Sequence, residues 1–289
     1  MHALKPLLAL LAVLAVPAWA AVPQATVDAV QMPAWLEHNG RTQPLAVGMA
    51  VVNGDRIRTE EGARVYLKLA EGSTVKLGES ARLAFFSHSL KPQTVFKGAL
   101  DVLAGAFRFT TDALKQVKSR EVSIRVGTAT AGIRGTDVWG KTDAKRDLVM
   151  LIDGRIEVSH TSGKIVEMSR PLTAFVAPKD GGGLAIETVA PEDFTARARE
   201  TEIEAGDGAA RAGGKWKLLL GRHGAKAAAL EQYDAARGAG YPARITPRSA
   251  GSGAWNYEVV IAGFPDETEA LKVADRLKGT TGITATAVR

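Results

Sequence analysis

Val65-Tyr66-Leu67-Lys68-Leu69-Ala70-Glu71-Gly72-Ser73-Thr74-Val75-Lys76-Leu77 carries the clearest structural signal in this chain. Val65, Leu67 and Leu69 alternate with Tyr66 and Lys68, the period-two pattern of a strand buried on one face. Glu71-Gly72-Ser73 supplies turn chemistry, and Val75 and Leu77 then resume the apolar face. The stretch therefore reads as a β-hairpin. On its C-terminal side the pattern continues with Leu83 and Phe85 after a break at Gly78. Strand candidates follow at 94–100, 105–110, 122–126, 137–141, 148–151, 155–160 and 173–177, with a short helical or irregular excursion at 113–118. Short strands at near-regular spacing with turn residues between them predict an all-β domain over residues 46–178, built as a sandwich, a roll or a solenoid-like stack.

Residues 21–45 read as a lead-in punctuated by Pro23, Pro33 and Pro44. Before it, Met1–Ala20 has a basic start (His2, Lys5), an apolar run from Leu7 to Val16, and Pro17-Ala18-Trp19-Ala20 ahead of Ala21. That is the pattern of a secretory signal peptide cut after Ala20. The run falls well short of the roughly twenty residues a spanning helix needs, and no later stretch approaches that length. The expectation is a periplasmic protein without an integral membrane span. The chain has no cysteine, which excludes disulfides, cysteine nucleophiles and thiolate metal sites. Its net charge of +6 falls by one with Lys5. The charges are dispersed, so no nucleic-acid partner is expected, although a basic chain suits an anionic envelope surface.

Pro178–Gly183 closes the β domain. Residues 179–214 read as a charged and Gly/Ala-rich linker, with an exposed helix over 191–205 and flexible sequence over 206–214. From Trp216 the pattern changes. Strands at 216–221, 241–246, 255–261 and 283–288 are interleaved with amphipathic helices at 226–237 and 268–278. The order β-α-β-β-α-β predicts a split βαβ domain over 215–289. The chain is thus multi-domain: an all-β unit followed by an α+β unit.

The β region resembles the FecR family. Val47-Gly48 with Asn53-Gly54-Asp55-Arg56-Ile57-Arg58-Thr59 is similar to its opening strand-and-turn signature, and Gly62–Leu77 to its hairpin. Thr130-Ala131-Gly132-Ile133-Arg134-Gly135-Thr136-Asp137 resembles the family's R-G-T core, and Leu151–Val158 its later strand. Gly135 permits a turn that a side chain would block. Arg134 beside a carboxylate reads as a structural ion pair; with Asp137 it also fits a ligand clamp. The family includes transmembrane sensors that regulate extracytoplasmic sigma factors, with a cytoplasmic segment before a membrane span. A chain read as opening on a cleavable signal shares only the extracytoplasmic module.

The C-terminal region resembles the SPOR family, whose members bind peptidoglycan strands stripped of stem peptides. Tyr257–Phe264, Thr268–Ala270, Leu277-Lys278 and Thr281–Ala285 carry the likeness. In the first half, Lys217–Gly221 matches with Leu219 in place of the usual Gln, and His223 stands where Phe is common. Strand alternation puts Leu218 and Leu220 on one side and Lys217 and Leu219 on the other. If the helices cover the first side, the open face offers Lys217, Leu219, Glu258 and Val260, with Arg244 or Ile245 from the neighbouring strand. These are the expected glycan-binding residues. Trp216, Trp255 and Tyr257 fit either ligand contact or packing.

No catalytic constellation emerges. The histidines (His2, His38, His88, His160, His223) lack ligand spacing, so no metal or other cofactor is expected. Ser73-Thr74-Val75-Lys76 matches S-x-x-K, but it opens a strand rather than a helix and lacks K-T-G or S-D-N partners. The sequence therefore points to a non-enzymatic envelope protein. Its SPOR-like domain would bind denuded glycan strands and its FecR-like domain an unknown envelope partner. The alternative is a protein–protein module in envelope signalling or assembly, for which the polar-to-apolar change at Leu219 is the clue.

Overall fold

The computed structural model describes residues 23–87, 95–111, 119–251 and 253–289. The leader Met1–Ala20 and the excursion at 113–118 lie outside the described residues. The expected hairpin forms in the register its alternation dictates, with Val65 opposite Leu77 and Leu67 opposite Val75. All four side chains are fully buried.

Two sheets build the larger domain. In the first, Ala25–Gln31 is followed by Arg64–Leu69, Thr74–Leu77, the C-terminal half of Val95–Thr110, Asp137–Thr142, Arg146–Asp153, Thr173–Pro178 and Ala185–Thr188. In the second the order is Arg41–Pro44, Ala34–His38, Arg56–Thr59, Arg82–Ser87, the N-terminal half of Val95–Thr110, Ser119–Val126, Ala129–Ile133, Ile156–His160 and Ile165–Met168. Neighbours are antiparallel, except that Val95–Val102 runs parallel to Ser119–Val126.

The 16-residue strand Val95–Thr110 belongs to both sheets. It turns the corner at Gly105, which has φ +79° and where a Cβ would lie 2.6 Å from the Ala81 Cα. Only glycine fits that bend, and corners of this kind let one strand switch sheets. Leu36, Ile57, Leu83 and Phe85 from one sheet and Val65, Leu67, Phe107 and Phe109 from the other bury into a common core. The all-β expectation thus resolves into two layers joined through a shared strand.

Two stretches are more ordered than their composition implies. The lead-in contributes three strands, Ala25–Gln31, Ala34–His38 and Arg41–Pro44, and buries Val27, Val30, Met32, Leu36 and Leu45. Its prolines are compatible with this because Pro33 sits between strands and Pro44 ends one.

The stretch 179–214 is likewise structured. Ala185–Thr188 adds a strand, Pro191–Thr201 forms helix α1, and Ala209–Arg211 pairs with Ala29–Gln31. Helix α1 starts on Pro191 with Glu192 and Asp193 in its first turn, and has Arg199 in its last turn, as the helix dipole favours. Phe194 packs on the outer face of the first sheet with Trp139, Leu148, Met150 and Val176. Ala209 and Ala210 are small enough to be fully covered, so a local composition that looks flexible is held by tertiary partners.

The C-terminal domain is a four-stranded sheet ordered Arg244–Gly251, Ala254–Phe264, Trp216–His223, Thr286–Val288. Helices α2 (Lys226–Gly238) and α3 (Glu267–Thr281) cover one face. The element order is the one read from sequence, although the second strand begins at Arg244 rather than Tyr241. Leu218, Leu220, Val259 and Ile261 meet Ala229, Ala236, Val273 and Leu277 beneath the helices. Among the described residues no helix is long and apolar enough to cross a membrane.

The helix side also meets the larger domain. The buried Glu269 carboxylate on α3 accepts the backbone N–H of Gly206 at 2.7 Å and of Ala209 at 2.8 Å. Arg276, also on α3, donates to the carbonyls of Met32 at 3.0 Å, of Gly208 at 3.1 Å, and of Asp207. The opposite face of the small sheet stays uncovered.

Candidate functional site

The uncovered face is organised by register. Leu219 lies opposite Val260, which in turn lies opposite Arg244 on the outer strand. Lys217 lies between Ala262 and Val288. After Leu219 the pairing shifts by one residue, so that Gly221 faces Val259 and Arg222 faces Glu258. This is a β-bulge, and it brings Arg222 to the open side where strict alternation would have hidden it. Gly221 itself points toward α2: a Cβ there would sit 2.5 Å from the Gln232 Oε1.

The result is a shallow depression of about 450 Å³ lined by Lys217, Leu219, Arg222, Arg244, Glu258 and Val260, with Thr246, Arg248 and Arg289 at its margins. The four residues expected from sequence come together here. Of the two neighbours left open, Arg244 is on this face, whereas Ile245 packs with the core on the helix side. Arg222 and Arg248 were missed by the sequence reading. The signal for Arg222 was Gly221 inside a strand, which marks a bulge. Arg248 was missed because the strand extends beyond Thr246 to Gly251.

Glu258 is the carboxylate of this depression. Its Oε1 accepts from Arg222 Nε at 2.8 Å and its Oε2 from Arg248 Nε at 3.2 Å. The hydrogen bond from Arg222, with that from Arg248 and the charge of both guanidiniums, holds the Glu258 carboxyl below the usual carboxylate range. Leu219 and Val260 form an apolar pair between these charges, a surface on which the face of a sugar ring can rest. Trp216 and Tyr257 pack against the core, while Trp255 is 52% exposed. Alternation along its strand puts Trp255 on the side opposite Glu258, away from the depression.

The second candidate motif does not assemble as an Arg134–Asp137 pair. Arg134 is exposed on the turn that Gly135 makes with φ +73°. Asp137 instead takes a two-pronged contact from Arg108, Nε to Oδ1 at 2.9 Å and Nη2 to Oδ2 at 2.6 Å. Strand pairing explains the change, because Asp137 lies opposite Thr110, two residues from Arg108 on a neighbouring strand.

Arg108 also reaches Glu202 at 3.2 Å. Glu202 in turn accepts from Lys76 at 2.6 and 2.7 Å and from the Tyr66 hydroxyl at 2.9 Å. This network ties the segment after α1 to the first sheet. Lys76 is therefore committed to Glu202, while Ser73 is buried, so the S-x-x-K match forms no nucleophile–base pair. Among the described residues no group of three or more His, Asp or Glu side chains is placed to hold a metal ion.

A family model for the FecR protein matches residues 55–157. A model for the SPOR domain matches residues 212–289. The chain carries a FecR region followed by a C-terminal SPOR domain. No curated protein matches it. Two solved structures are similar, crystal structures at 2.50 and 1.65 Å of a candidate anti-sigma factor from Parabacteroides distasonis ATCC 8503. Each is 12% identical with a TM-score of 0.41, and the match covers 81% of this chain and 98% of the other. SPOR domains bind peptidoglycan, and both matched families serve binding or regulation at the cell envelope rather than catalysis. The depression described above lies within the SPOR match.

Proposed function

We propose that this chain is a non-enzymatic periplasmic binding protein whose SPOR face holds denuded peptidoglycan glycan strands while its FecR region engages a second envelope partner. The observation that carries the reading is the disposition of the SPOR domain. Its helix side is occupied by contacts to the larger domain through Glu269 and Arg276, and its opposite face is open. On that face Leu219 and Val260 offer a platform for sugar rings. Lys217, Glu258 and the surrounding guanidiniums offer hydrogen bonds to sugar hydroxyls. A site this shallow gains from multivalency: weak wall binding raises the local concentration of the FecR region near its partner.

The test is co-sedimentation of the full chain with isolated sacculi, with and without amidase pretreatment. Binding is expected to rise when stem peptides are removed; absence of binding in both conditions overturns the glycan reading. The half-buried apolar pair on this open face favours one second reading, a protein partner on the same face. Leu219→Gln discriminates: it weakens a protein complex but preserves or improves binding to sacculi.

A further inference from the structure

Resting on the glycan reading, we propose that the SPOR face selects denuded strands by their free carboxylates, through a cationic frame around the Leu219–Val260 platform. Lys217, Arg222, Arg244, Arg248 and Arg289 line the depression together with one acidic side chain, Glu258. Glu258 is already committed to Arg222 and Arg248, and it holds both guanidiniums over the sheet. Those two side chains remain 64% and 58% exposed, so their terminal nitrogens still face solvent. Among the described residues, Lys217, Arg244 and Arg289 enter no ion pair. The register places Arg244 beside Val260 and Lys217 beside Ala262 and Val288. The cations therefore flank the apolar pair on both sides.

The chemistry of the ligand matches this frame. In intact peptidoglycan the lactyl carboxyl of each muramic sugar is locked in an amide to the stem peptide. Hydrolysis of that amide by an amidase frees it as a carboxylate attached directly to the glycan backbone. A denuded strand thus presents anions at a regular repeat, within reach of a face that reads the sugar rings. Guanidinium–carboxylate contacts are the strong, directional form of this recognition. Each exposed pair contributes little alone, so selectivity arises from several acting along one strand, and added salt weakens it. On this account the preference for denuded strands is a gain of charge complementarity, beyond the removal of a steric obstacle.

The experiment uses the full chain and amidase-treated sacculi, half of which are coupled with methylamine by carbodiimide to convert lactyl carboxylates into neutral amides. Amidated strands are expected to bind at least about tenfold more weakly. Arg244→Gln is expected to weaken binding to unmodified denuded strands about threefold more than it weakens binding to amidated strands. Equal binding of amidated and unmodified strands overturns the carboxylate readout while leaving the glycan reading intact. No binding to unmodified denuded strands removes the glycan reading and the readout with it.

Discussion

Glu202 shows how much a single residue outside any motif does in this protein. Burial alone would raise its carboxyl. Hydrogen bonds from Lys76 and Tyr66 and the charges of Lys76 and Arg108 outweigh that and hold it below the usual carboxylate range. Glu202→Gln leaves the partly buried Lys76 without its counter-charge, while Arg108 keeps Asp137, so a loss of about 1–3 kcal/mol is expected in urea unfolding at neutral pH. Because the folded-state value is lowered, the stabilisation is fully present above the ordinary carboxylate pKa and fades as pH falls through the folded one. The wild type should therefore lose stability below about pH 4.5, and Glu202→Gln should lose less over that window. A parallel pH profile for both proteins would contradict the assignment. None of this was legible in the sequence, where Glu202 sits in a run of charges. Arg134 and Asp137, three residues apart in a recognisable motif, were legible as residues but do not become partners, since strand pairing brings Arg108 to Asp137.

At the scale of elements, local pattern carried most of the information. The hairpin at 64–77 and helices α2 and α3 follow from periodicity that acts within a few residues, although α3 continues past the expected end at 278 to Thr281. Helix α3 is closed at both ends, by Asp266 accepting from the Glu269 N–H at 2.9 Å and by Gly282 in the left-handed region with φ 75°. Asp266→Ala should cost about 1 kcal/mol, read as a shift of the denaturation midpoint without a change in slope. The shared strand Val95–Thr110 depends on one position. Gly105→Ala meets both a positive φ and overlap with Ala81, and should destabilise by about 3 kcal/mol or more. An unchanged midpoint for that variant would show that the corner is made elsewhere. The bulge at Leu220–Gly221 is the element-scale feature that sequence alternation missed, and it decides that Arg222 joins the open face.

For the whole molecule, the consequential feature is that the SPOR domain is docked rather than tethered. Glu269 and Arg276 on α3 bind backbone of the segment 206–209 and of Met32, and Ala209–Arg211 is itself a strand of the larger domain. Glu269→Ala leaves two N–H groups without their acceptor. The expected outcome is separation of one thermal transition into two, with new protease cleavage near 203–214, while binding to denuded strands is retained. A single unsplit transition would mean that the docking rests on other contacts. The sequence by itself determined the two-part organisation, the β and α+β classes, and the set Lys217, Leu219, Glu258 and Val260, because periodicity, turn residues and strand alternation are local properties. Only the tertiary structure decided the role of residues 21–45 and 179–214, the partners of Asp137 and Glu202, and the cationic frame around the open face. Those depend on contacts between positions far apart in the chain, which short-range pattern does not encode.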